Sequence, residues 1–157
     1  MTDDTRPIAL GPGEGETIES PLAGRLTYKA RGGQTNGTIT AFEVLTPPGS
    51  GPPLHTHAQE DETIYVLEGD VRFTLNGEIT TMPEGSFVFV PQGVAHTWQV
   101  VGAEPARMLV IFNPAGMEGF FDRFAALTSP DPDAFRTIGA QAGMDVVGPP
   151  LAQSDPL

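Results

Sequence analysis

Between Thr63 and Val101 apolar and polar residues alternate in short runs cut by Gly, Pro and Asn. That is the punctuation of successive β-strands. Val71, Phe73 and Leu75 alternate with Arg72 and Thr74. Asn76-Gly77 is a two-residue hairpin signal, and Glu78–Met82 is predicted to return from it. Thr63–Glu68, Ser86–Val90, Ala95–Val101 and Arg107–Phe112 are predicted as further strands, with turns at Gly69-Asp70, Pro83–Gly85 and Pro91–Gly93. Upstream, Leu26–Ala30 and Thr38–Thr46 read as strands. Arg31–Gly37 reads as the loop between them. About eight short strands with this spacing predict an all-β fold, a sandwich or barrel of the jelly-roll kind.

The period changes near the end of the chain. Met117, Phe120, Phe121, Phe124 and Leu127 recur at helical spacing, which predicts an amphipathic helix over 117–127. Ser129–Asp133 stops it and opens a second helix over 132–142, and Gly143 ends that one. Val146–Leu157 reads as a Pro-rich tail. The aromatic stripe is read as a helix covering one side of the barrel, with a lid over a pocket as the alternative. At the other end, residues 1–20 read as an arm, either flexible or ordered by adding to a sheet. Ile8-Ala9-Leu10 argues that this arm orders by adding to a sheet. No internal repeat is present. The expected organisation is a single domain over 1–157, with the arm at 1–20, the barrel at 21–114 and C-terminal helices and tail at 115–157.

Composition narrows the function. A chain of 157 residues can bury a full core. Its formal charge of −12 comes from 20 acidic and 8 basic residues, and no basic run exceeds two. Nucleic acid and anionic membrane are therefore not expected as partners. The absence of cysteine removes disulfides and thiolate ligands. The polar N-terminus and the lack of a long apolar segment make a cytoplasmic protein the expectation.

The chain has three histidines, and their placement is the chemical signal. Pro47–Pro53 is a stiff approach, with little chain entropy left to lose, that delivers His55 and His57. Residues two apart on a strand share a face, so both imidazoles can address one point. Glu62 follows after a bend, and His96 lies in a second Gly- and Pro-punctuated stretch. Convergence of the four would make a three-nitrogen, one-oxygen site for one divalent transition metal: Ni, Mn, Fe, Co or Zn. Four protein ligands leave a position for a further guest on a five- or six-coordinate ion. Glu60 and Asp61 could each stand in for Glu62, but both are expected in solvent. Arg72 and Arg107 are expected to pair with acids on the surface.

Gly49-x5-His55-x-His57-x4-Glu62-x6-Gly69 and Gly85-x5-Pro91-x-Gly93-x2-His96 resemble the two cupin motifs. The second motif's asparagine is replaced by Val100. The resemblance implies a cupin jelly-roll β-barrel, metal ligands His55, His57, Glu62 and His96, and a homodimer. Parity with these ligands puts Ile64, Val66, Trp98 and Val100 inside the barrel. Phe73, Phe87, Phe89, Met108, Val110 and Phe112 are further candidates for apolar lining. Trp98, Ile64, Phe73 and Phe112 are the candidate substrate-binding residues, and an apolar cavity over a metal suits a flat aromatic small molecule. The chain is also similar to single-domain cupins related to quercetin 2,3-dioxygenase. That implies a metal-dependent dioxygenase acting with dioxygen on a flavonol-like or other aromatic or enolic substrate, with Glu62 as ligand and general base. A non-oxidative isomerase, decarboxylase or polyketide cyclase, and a non-catalytic ligand-binding cupin, remain as alternatives.

Overall fold

The computed structural model describes residues 6–21, 23–129 and 131–157. The first five residues of the arm, and Pro130 in the helix-breaking stretch, lie outside the described residues.

Among the described residues the strands are β1 (Glu16–Ser20), β2 (Gly24–Ala30), β3 (Thr40–Thr46), β4 (Pro53–His57), β5 (Asp61–Glu68) and β6 (Asp70–Leu75), then β7 (Glu78–Met82), β8 (Phe87–Val90), β9 (His96–Val101), β10 (Ala106–Asn113) and β11 (Met144–Pro150). The helices are α1 (Glu118–Ala125), α2 (Pro132–Gln141) and the one-turn α3 (Leu151–Ser154). One sheet has the order β1-β2-β3-β10-β5-β8, and the other β11-β4-β9-β6-β7. Every pairing is antiparallel. The two sheets close on an apolar core that includes Leu26, Ile64, Phe73, Val100, Met108 and Phe112. This is the jelly-roll expected from the strand pattern.

Local chemistry explains the elements. The β6–β7 hairpin turns on Asn76 and Gly77, both at positive φ (51° and 86°), as a tight two-residue connection requires. Asp131 caps α2 by accepting the Ala134 N–H at 2.7 Å. The apolar face of α1 buries Phe120 and Phe124. Its polar face is tied to the barrel: Arg31 Nη1 donates to Asp122 at 2.7 Å, the Tyr28 hydroxyl donates to Asp122 at 3.1 Å, and the Gly32 amide donates to Glu118 at 2.7 Å.

Several expectations change. The Pro-rich tail is not irregular: Met144–Pro150 forms β11, pairs along β4 and extends the ligand-bearing sheet. Prolines are tolerated there because β11 is an edge strand, and its register shifts on either side of Gly148. The arm joins the sheet through Glu16–Ser20, not through Ile8 and Leu10, which are about two-fifths exposed. Phe87 and Phe89 face outward at 61% and 52% exposure. Val90 stands opposite Glu62 and Val88 opposite Ile64, so the valines take the inner face and the phenylalanines the outer one. Arg72 does pair with an acid, Asp155, at 3.0 Å, but it is buried and also donates to Gln99 at 2.8 Å. Arg107 pairs at the surface with Glu43, at 3.2 Å, and with Glu68.

Candidate metal centre

β4 brings His55 and His57 to one face, and β9 brings His96 directly opposite His55. These three histidines belong to the five-stranded sheet; Glu62 comes from β5 of the six-stranded sheet. The four side chains therefore meet where the two sheets face each other. All four are buried, and one potential ligand atom from each lies within 4.8 Å of the others. The ring centroids are 4.4 Å apart for His55–His96, 5.0 Å for His55–His57 and 5.4 Å for His57–His96.

The hydrogen bonds set the direction of the lone pairs. His55 Nδ1 lies 2.7 Å from the Pro53 carbonyl, and His96 Nδ1 lies 2.9 Å from the Val94 carbonyl. A carbonyl only accepts, so each Nδ1 carries a proton, and each Nε2 is left to the centre. His57 Nε2 is buried without a hydrogen-bond partner. Glu62 Oε2 sits 2.6 Å from His96 Nε2 and 3.2 Å from His57 Nε2. Burial, then the neighbouring His96 and His57, pushes His55 down to about 3, so it is a neutral donor. Burial alone would raise Glu62, but the close imidazoles of His57 and His96 hold it well below the usual carboxylate range. Burial alone would lower His96, and Glu62 outweighs it and raises it. Three imidazoles and one carboxylate, with His55 and His96 aimed at the centre by their own outer contacts, fit a divalent transition metal.

A cavity of about 60 Å³ adjoins three of the four residues, His55, His57 and Glu62. Its walls include Trp98, Phe112, Phe121, Phe124, Phe135 and Met144. Phe112 packs edge-on against His57, with centroids 5.1 Å apart. Trp98 and Phe112, two of the four candidate substrate residues, thus stand beside the site. Ile64 and Phe73 point inward, as parity predicts, but do not line this cavity; each is fully buried in the core. Two residues of strand advance about 7 Å, enough to carry Ile64 past the site. The helices contribute Phe121, Phe124 and Phe135, so the aromatic stripe both covers the barrel and closes the cavity.

Glu60 departs from expectation. It is buried, at 4% exposure, and its Oε2 has no hydrogen-bond partner. Burial raises its pKa, and the His57 charge opposes that. The bend between β4 and β5 folds the side chain under Gly116, where an added Cβ would lie 3.9 Å from Glu60 Oε1. Asp61 is half-buried and accepts the Gln92 amide at 2.9 Å.

Comparison with known proteins agrees with this geometry. A family model described as "Cupin domain" matches residues 42–112. The chain is 32% identical over 102 residues to quercetin 2,3-dioxygenase of Bacillus subtilis (strain 168), covering 64% of this chain and 29% of that protein. It is 28% identical over 114 residues to polyketide synthase CurC of Streptomyces cyaneus, covering 69% of this chain and 74% of that protein. The chain thus spans less than a third of the dioxygenase's length. An RmlC-like cupin from Shewanella frigidimarina NCIMB 400 superposes with a TM-score of 0.60 at 20% identity, covering 71% of this chain and 93% of that one. With the two motifs, the two-sheet barrel and these matches in agreement, the chain is a member of the cupin superfamily.

Proposed function

We propose that this chain is a metal-dependent dioxygenase for a compact enolic or aromatic molecule, with His55, His57, Glu62 and His96 as ligands. The observation that carries the reading is the aromatic-walled cavity lying against a buried His₃Glu set. A divalent cation bound there would polarise a hydroxyl or enol oxygen and, where redox-active, would bring dioxygen to it. Trp98 and Phe112 offer flat apolar surfaces to a ring, and Phe121, Phe124 and Phe135 exclude water. Glu62 Oε2 faces the centre and can take the substrate proton. The contacts that depress Glu62 come from His57 and His96. A bound cation would itself hold Glu62 ionised, so the group would meet the substrate as a carboxylate with an oxygen free to accept a proton.

Size favours a compact substrate. Organic ligands occupy pockets of about 300–1,000 Å³, whereas this cavity measures about 60 Å³. A flavonol-like molecule requires displacement of the aromatic side chains from α1 and α2. A non-oxidative enzyme of the polyketide-cyclase kind is the second reading, supported by the 74% coverage of CurC. The test is oxygen consumption after reconstitution with each candidate metal, using flavonols and single-ring enols. Turnover in air that stops without oxygen, and is lost in a His55→Ala, His57→Ala double variant, supports the dioxygenase. Conversion that persists without oxygen supports the second reading, and binding without conversion overturns both.

A homodimer and a cytoplasmic location belong to the same reading. The homodimer is supported by the outward row of Tyr65, Phe87 and Phe89 on the six-stranded sheet. Among the described residues no helix is long and apolar enough to cross a membrane.

A further inference from the structure

Two of the three imidazoles have an outer partner: His55 holds the Pro53 carbonyl and His96 the Val94 carbonyl. His57 does not. Its Nδ1 is buried with no hydrogen-bond partner. A ligand histidine whose second nitrogen is unheld can rotate and change tautomer, and such groups usually donate to a carbonyl or carboxylate. The chain has 20 acidic residues. Among the described residues, the buried carboxylates are Glu62, already in the ligand set, and Glu60. Glu60 follows His57 by three residues around the β4–β5 bend, feels the His57 charge, and has a buried Oε2 that also lacks a partner. A lone donor and a lone acceptor, both withdrawn from water, sit at one bend. Leaving either unpaired costs about 1–3 kcal/mol.

We propose that Glu60 is the positioning residue for His57: its carboxylate accepts the His57 Nδ1–H when Nε2 is engaged by a cation. The same carboxylate supplies a second negative charge beside a site whose own ligands provide one. The inference rests on the reading of His55, His57, Glu62 and His96 as a metal site. Glu60 touches neither the centre nor the cavity wall, so its role is to fix the ring that does.

The test uses zinc as a diamagnetic probe. Zinc affinity is measured by chelator competition, and ring N–H groups are followed by ¹H–¹⁵N spectroscopy, which has three histidines to resolve. In the wild-type protein the His57 Nδ1–H is expected as a downfield, slowly exchanging signal. Glu60→Ala is expected to speed its exchange and to weaken zinc binding by about 10–100-fold. Glu60→Gln keeps an acceptor oxygen and is expected to recover most of that loss. Unchanged affinity and unchanged ring signals in Glu60→Ala overturn the proposal while leaving the metal site standing. A wild-type protein that takes up no zinc, manganese or nickel overturns both. Should Glu60→Ala fail to fold, the wild-type spectrum decides alone: a fast-exchanging His57 Nδ1–H contradicts the proposal.

Discussion

His96 Nε2 and Glu62 Oε2 lie 2.6 Å apart in a buried site, and the other His96 nitrogen faces a carbonyl. Both ring nitrogens therefore donate, and the pair holds one proton that a cation must displace. Against the opposing effect of burial, Glu62 raises His96 above its ordinary value. The stability that this proton gives the metal-free protein is fully present below about pH 6.5 and is lost as pH rises through the raised His96 value. Metal affinity has the opposite slope. Below that value each unit of pH is expected to change apparent affinity about tenfold, with one proton released per cation. Chelator competition and proton release in unbuffered solution check this; affinity that is flat with pH refutes it.

Glu118 is the second charge with a structural task. It accepts the Gly32 amide at 2.7 Å, the Gly116 amide at 3.0 Å and the Thr40 hydroxyl, joining α1 to the barrel. Burial acts to raise it, but these donors outweigh burial and lower its pKa. A depressed carboxylate stabilises the fold above its unfolded pKa of about 4.3, and that stability is lost as pH falls through the folded value. Glu118→Gln is expected to cost about 1 kcal/mol at neutral pH, allowing for its partial exposure. The difference should close as pH is lowered below 4. Denaturant melts of both proteins across that range measure it.

Much of the site was legible because a strand has a period of two. His55 and His57 needed only β4 to be extended, and the hairpins then placed Glu62 and His96. Parity also put Trp98 inward. A four-residue apolar run such as Phe87–Val90 carries no parity, so its inner face was decided by pairing with β5, a long-range fact. The tail failed for a different reason. Its prolines and glycine read as irregular, whereas an edge strand needs ladder bonds on one side only. Glu60 was misjudged because an acidic cluster is ordinarily solvated; its burial follows from a bend closed over by the chain around Gly116.

Gly51 sets the distance between the Pro-rich approach and the cavity wall. A Cβ there would collide with the Trp98 carbonyl and come within 2.9 Å of its carbon. The clash is with backbone of β9, an inner strand of its sheet that is paired here to Phe73 of β6 and cannot yield cheaply. Gly51→Ala is expected to destabilise by about 1–3 kcal/mol, as other overpacked sites do. The lone tryptophan is Trp98 itself, so its emission reports the unfolding and any shift in its surroundings. A variant with wild-type stability and an unmoved emission maximum would show that the approach segment is looser than this packing implies.

Phe87 and Tyr65 stand opposite each other across the β5–β8 pairing, and Leu109 continues the row on β10. Phe89 extends the apolar surface along β8, the outermost strand of its sheet. Such a surface on a chain of net charge −12 needs a local absence of repulsion before two copies can meet. Arg107 and Lys29 provide it, because together they offset the charges of Glu43 and Glu68 beside the patch. Wild-type protein at about 50 μM is therefore expected to run as a dimer by light scattering, a concentration at which a micromolar complex is mostly formed. The Phe87→Ser, Phe89→Ser double variant should run as a monomer. Both side chains are more than half exposed, so the variant's unfolding midpoint at high dilution should match the wild type within about 0.5 kcal/mol per site. A wild-type monomer, or a dimer indifferent to both substitutions, would remove this face as the contact.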